Sequence, residues 1–247
     1  MNSNQRFFVG GTLGAVMAVT ALAACAGRAW AGQVEGSVVL EGPPPAPETL
    51  TIKAKSKQHS IEGCGAVEKL SPKLQVAADG GIKNAVVWLE GPPDPAGEIP
   101  APLLMDQNQC VFEPHVIAIQ AGREVAIRNS DTVIHNVRIF PEGIPSMLMH
   151  RWQKADAADI LWKFEEPGRY VVRCGVHPWM YGWVIVVPPG GAAAVTDASG
   201  GFTLAGVPAG RHTLRVWHET LGTLELPVEV GPDGKQLEPI RITRRDS

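Results

Sequence analysis

Tyr170-Val171-Val172-Arg173-Cys174-Gly175-Val176-His177-Pro178-Trp179-Met180-Tyr181-Gly182-Trp183-Val184-Ile185-Val186-Val187 reads as two strands joined by a loop. Residues 170–174 and 182–187 are short runs of Val, Ile and aromatic residues, the composition of buried strands. Between them a thiol, an imidazole and a thioether fall at C-x2-H-x2-M. Upstream, similar runs occupy residues 111–120, 124–129, 135–140 and 160–164, with Asn129-Ser130-Asp131 as a turn before His135. Pro188-Pro189-Gly190-Gly191 closes this series, and strands resume over residues 194–196, 201–204, 210–218 and 224–230. Residues 33–40 and 82–89 form two earlier strands, each stopped by a Gly-Pro-Pro turn. Only residues 154–158 offer a modest helical turn. The reading is all-β: one sandwich or a pair.

Composition agrees. Gly 27 and Pro 21 in 247 residues supply turns for many short strands and exclude a helical bundle or coiled coil. The formal net charge is −3. Removal of residues 1–31 would take Arg6 and Arg28 with it and leave −5. A mildly acidic chain without a basic stripe argues against nucleic acid as the main partner.

Residues 1–31 read as an export signal, with a thin positive start at Arg6, an apolar run and an Ala29-Trp30-Ala31 cleavage site. Leu22-Ala23-Ala24-Cys25 competes as a lipobox, in which Cys25 would carry a lipid anchor. Both readings export the chain, to the periplasm, where disulfides persist.

His135, Cys174, His177 and Met180 make the donor set of a blue-copper site: two imidazoles, a thiolate and a weak axial thioether. Thiolate and thioether favour Cu(I), while imidazole also suits Cu(II). Zinc is the alternative metal, although structural zinc recruits four Cys or His donors and not Met.

The region from Cys110 to Val187 resembles the cupredoxins, a family of Greek-key sandwiches, and the ligand loop is most similar to that of the amicyanins. The resemblance implies one type 1 copper held by His135, Cys174, His177 and Met180. It further implies that Asn136 ties the two ligand loops together. Gly175-Val176 departs from the more polar pair often found between Cys and His. The resemblance also implies an apolar docking patch of Pro178, Trp179 and Tyr181 around an exposed edge of His177. A periplasmic redox protein, such as a c-type cytochrome, would dock there. One copper passes one electron, so the chain reads as a carrier and not an enzyme. Copper binding, delivery or resistance without electron transfer is the second function class; a structural role for the β module is the third.

Residues 194–214, with Thr196-Asp197-Ala198-Ser199-Gly200-Gly201-Phe202, resemble a carboxypeptidase-regulatory-like (transthyretin-like) module, whose first strands would be residues 36–40 and 85–89. The domains are then a signal over 1–31, an N-terminal β segment over 32–91, a cupredoxin over 104–188 and a C-terminal module over 189–247. The cupredoxin would be inserted in, or joined to, the transthyretin-like sandwich.

Cys64 and Cys110 remain as an even pair in an exported chain, which reads as a disulfide. The alternative is a second metal site of His59, Cys64, Cys110 and His115. Met147-Leu148-Met149-His150 offers a soft Cu(I) delivery site on a loop, against ordinary packing of its methionines. Trp152 and Trp162 are expected in the core or at its rim, and His212 and His218 as surface or packing residues.

Overall fold

The computed structural model describes residues 32–51, 63–64, 68–90 and 103–244. The expected leader with Cys25, and His59, lie outside them. The first strands are β1 (Gly32–Leu40), β2 (Thr49–Thr51), β3 (Glu68–Leu70) and β4 (Val86–Leu89). A second group follows: β5 (Leu104–Asn108), β6 (Val111–Glu113), β7 (Val116–Gln120), β8 (Arg123–Asn129), β9 (His135–Pro141) and β10 (Met149–Gln153). It ends with β11 (Ile160–Phe164), β12 (Gly168–Cys174) and β13 (Tyr181–Val187). The last are β14 (Ala192–Val195), β15 (Gly201–Val207), β16 (Gly210–His218), β17 (Gly222–Val230), β18 (Lys235–Gln236) and β19 (Ile240–Ile242). The described residues contain no helix; residues 154–158 make only a turn.

Two sandwiches result. In the first, sheet β10-β9-β12-β13-β7 faces sheet β11-β8-β5-β6 over a core that includes Phe112, Ile127, Ile139, Phe164, Val172 and Met180. In the second, β15-β1-β18, with β19 also on β1, faces β14-β4-β16-β17 over Val38, Ile82, Leu204, Leu214 and Val216. The second sandwich takes strands from both sides of the first in sequence, so the first sits between β4 and β14. The sandwiches are fused through strands buried on both faces. In β13, Val184 and Val186 enter the first core while Ile185 and Val187 turn outward. In β4, Val87 and Leu89 enter the second core while Val86 and Trp88 meet that outward face. Period-two alternation thus explains why these segments read as unbroken apolar runs.

The structure corrects the strand expected over residues 111–120. It breaks at Pro114: β6 pairs antiparallel with β5, whereas β7 runs parallel to β13 in the opposite sheet. Proline has no N–H for a ladder, and it restricts the residue before it. Six strands went unread: β2, β3, β5, β10, β18 and β19. β5 carries Asp106, Gln107 and Asn108, poor strand formers; the amide of Gln107 is held by Arg128 O and the Gln153 side chain. β10 includes part of the segment expected to be a loop.

Candidate metal centre

His135 opens β9, and the turn before it is built by Asn129. Its Oδ1 accepts from Asp131 N at 3.0 Å, and its Nδ2 donates to Val133 O and Gln153 O. The Asp131 carboxylate is thereby held inside the protein. It accepts from the backbone N–H of Gln109 (2.5 Å) and Cys110 (2.8 Å) and lies 2.9 Å from His135 Nε2. Gln109 and Cys110 have φ of 52° and 55°, a left-handed pair that points successive N–H groups at one anion. With Nε2 taken by Asp131, His135 presents Nδ1 to the site.

Cys174 closes β12, and its loop folds back on itself. Cys174 N donates to Met180 O at 3.0 Å, and Met180 N to His177 O at 2.9 Å. Gly175 N donates to Asn136 O at 2.8 Å, stitching this loop to β9. Asn136 also donates its backbone N–H to Cys174 Sγ (3.5 Å), while its side-chain Oδ1 accepts from Arg138 Nε (2.7 Å). It therefore spans both loops. Gly175 is the residue this closeness requires: a Cβ there would fall 2.4 Å from Asn136 Oδ1 and 2.5 Å from Arg138 Cζ.

The donors converge. Cys174 Sγ lies 3.6 Å from His135 Nδ1 and 3.7 Å from His177 Nδ1, and the two nitrogens are 3.0 Å apart. The point equidistant from these three atoms is about 2 Å from each, near an ordinary metal–imidazole distance. Met180 is buried in the core around them. Burial pushes the Cys174 thiol up, but hydrogen bonds from the two imidazoles and from nearby backbone amides outweigh it and bring it down to about 5. Burial opposes charge on His135 as well; the Asp131 and Cys174 contacts prevail and raise it. A thiolate, two imidazole nitrogens and a thioether fit copper, a metal that takes soft sulfur and imidazole together.

Cys64 and Cys110 are joined as a disulfide, S–S 2.03 Å and Cα–Cα 4.9 Å. Both sulfurs are thus committed to each other. His115 lies against Glu219 Oε1 at 2.6 Å, at the seam between the sandwiches. The structure therefore does not assemble Cys64, Cys110 and His115 into a second metal site.

The expectation of an exposed His177 edge is not met. The residue is 1% exposed. Trp179 is folded back, donating Nε1–H to Cys110 O at 3.0 Å, with its ring centroid 5.2 Å from that of His177. The sulfurs of Cys64 and Cys110 and a His177 ring nitrogen all lie within 4.8 Å of one another. Disulfide and indole enclose the imidazole. Pro178 is exposed, but Trp179 and Tyr181 are half-buried, so they form no open apolar patch.

The soft segment is also corrected. Met149 lies in β10 and enters the core, whereas Met147 and Leu148 before it and His150 after it are exposed. Alternation along the strand sends Met149 and His150 to opposite faces. Trp152 is 61% exposed, neither core nor rim, and Trp162 is half-buried. His218 is buried, which pulls its pKa down to about 4. His212 lies 2.8 Å from Pro208 O. The sequence reading missed Asp131, Arg138 and Glu219; an acid four residues before the first His was the available signal.

Residues 102–187 match the family of copper binding proteins of the plastocyanin/azurin type. Among solved structures, a purple cupredoxin from Nitrosopumilus maritimus is 24% identical, covering 34% of this chain and 98% of its own, TM-score 0.30. Amicyanin from Paracoccus versutus is 26% identical, covering 47% of this chain and 92% of its own, TM-score 0.31. The copper-containing nitrite reductase of Thermus scotoductus is 24% identical over 40% of this chain and 26% of its own, TM-score 0.32. No curated protein matches. Residues 102–187 thus match a copper-binding domain of the plastocyanin/azurin family, and copper is the metal this match supports.

Proposed function

We propose that this is an exported one-electron carrier of the periplasm, in which His135, Cys174, His177 and Met180 would hold a type 1 copper. When bound, copper supplies a centre that alternates between Cu(I) and Cu(II). The observation that carries this reading is the convergence of one sulfur and two Nδ1 atoms in a buried, hydrogen-bonded frame. The chain's contribution is rigidity. Asp131 fixes the His135 ring, Asn136 ties the two loops, and backbone N–H groups of Asn136 and Val176 donate to the Cys174 sulfur. A frame that does not move when charge changes by one keeps the reorganisation small. The second sandwich, in this reading a transthyretin-like module, acts as a scaffold and the chain performs no chemistry on a substrate.

The test is absorption and voltammetry of the copper-loaded protein. The wild type is expected to show an intense thiolate-to-copper band and a reversible one-electron wave. Cys174→Ser is expected to lose both. A copper-loaded wild type that stays colourless under oxidising conditions, or passes Cu(I) to an acceptor without cycling, would replace the carrier with a copper-handling protein.

A further inference from the structure

With the His177 ring enclosed, the electron needs another way to the surface, and sheet register shows what stands there. Across β10, β9, β12 and β13, His150 pairs with Arg138, Arg138 with Arg173, and Arg173 with Tyr181. Directly opposed residues share a face, so His150, Arg138 and Arg173 form one row. Their neighbours Val137, Ile139, Val172 and Cys174 point into the core, so this row faces outward. Trp152 pairs with Asn136 and stands in the adjacent row of the same face, whereas Arg151 pairs with the core residue Val137 and belongs to the other side of β10. The like charges of Arg138 and Arg173 oppose one another directly, an arrangement that costs stability unless something anionic offsets it. Among the described residues, no carboxylate lies within salt-bridge distance of Arg138 or Arg173, whereas Arg128, Arg169 and Arg215 each have one. On a chain of net charge −3, this is a local cationic face.

The face is also wired to the site. Asn136 N–H donates to Cys174 Sγ, and its Oδ1 accepts from Arg138 Nε. The Arg138 guanidinium lies against Gly175, the residue following the thiolate. Sulfur and surface are therefore linked through one side chain and two hydrogen bonds.

We propose that the redox partner docks an acidic surface onto the Arg138/Arg173 face, beside His150 and Trp152, and that the electron crosses next to Cys174 and not through the His177 ring. This rests on the carrier reading. Each encounter moves one electron, Cu(I) becoming Cu(II) as the partner's one-electron centre is reduced; no bond forms or breaks and no proton moves.

Two oxidants of opposite charge test it on the copper-loaded full chain: hexacyanoferrate(III) and tris(phenanthroline)cobalt(III). At low ionic strength, Arg173→Glu is expected to slow oxidation by hexacyanoferrate about tenfold, to accelerate oxidation by the cobalt complex, and to leave the visible band in place. Equal changes with both oxidants, or none, would overturn the proposal. A readout independent of turnover is NMR with the paramagnetic anion hexacyanochromate(III). Broadening is expected at the amides of Asn136, Trp152, Arg173 and Gly175; broadening centred on Pro178 and Trp179 would return the electron to the His177 side. Arginine-dependent binding to anionic phospholipid vesicles, with exchange rates unaltered, would make the face a membrane contact and overturn it. A wild type that exchanges with neither oxidant sinks the carrier reading itself, a different outcome from exchange that ignores the arginines.

Discussion

The β12–β13 and β16–β17 hairpins are both antiparallel pairs in the middle or near the edge of a sandwich, and their loops do opposite things. Between β12 and β13, six residues fold back so that His177 and Met180 enter the core beside Cys174. Between β16 and β17, Glu219-Thr220-Leu221 turns only the apolar Leu221 into a core. It sends Glu219 across the seam instead, to His115 Nε2 at 2.6 Å and Trp183 Nε1 at 3.0 Å. One loop gathers candidate metal donors; the other bolts the sandwiches together. Loop length, on the same backbone device, decides whether polar side chains converge inside or brace a neighbour. The difference predicts that the first hairpin is chemically tuned and the second only mechanically important.

The largest expected effect concerns the tuning. In metal-free protein the Cys174 thiolate absorbance is expected to titrate near pH 5, against an ordinary value of 9.0. The sign follows from the lowered value. The folded chain holds this proton more weakly than the unfolded chain, so the stabilisation is full above the unfolded pKa and is lost as pH falls through about 5. A titration midpoint near 9 would mean the loop does not tune its sulfur.

Next in size is the clamp that joins the polar N-terminal segment to the metal centre. The disulfide spans a sequence separation of 46. Replacing Cys64 and Cys110 by Ser together is expected to cost about 4 kcal/mol in chemical denaturation, from the loop entropy returned to the unfolded chain. It also loosens the cover over His177, so solvent exchange of that imidazole is expected to quicken. An unchanged unfolding midpoint would show that the clamp is dispensable.

The smallest change sharpens the comparison from the other side. Leu214 is fully buried in the second core. Leu214→Ala is expected to cost about 3 kcal/mol, within the usual range for a cavity of that kind, with the copper band unmoved. A displaced band would show that packing in the second sandwich reaches the ligands.

The donor loop was legible because C-x2-H-x2-M is contiguous: spacing alone brings Cys174, His177 and Met180 near each other once two strands flank them. His135 was legible as a strand-opening residue after a turn. Other features depend on partners far away in sequence. The burial of His177 hangs on Trp179 reaching Cys110, 69 residues earlier. Asp131 acts through the N–H groups of Gln109 and Cys110, whose left-handed backbone no side-chain pattern announces. β5 was hidden because its polar residues look like a loop until Gln153 and Arg128 are seen to satisfy Gln107. The cationic face needed register, since Arg138 and Arg173 become neighbours only when β9 pairs with β12.

The seam between the sandwiches has a consequence for how the molecule melts. Val116, Ala118, Ile185 and Val187 of the copper-bearing half are packed on Val86, Trp88, Ala193 and Trp217 of the other. A fragment trimmed to residues 102–187 would turn the first four toward water as an adhesive sheet face, prone to self-association. Neither half can open without stripping the other of apolar cover. Heating is therefore expected to give a single calorimetric transition for both halves, with copper raising its midpoint for the entire molecule.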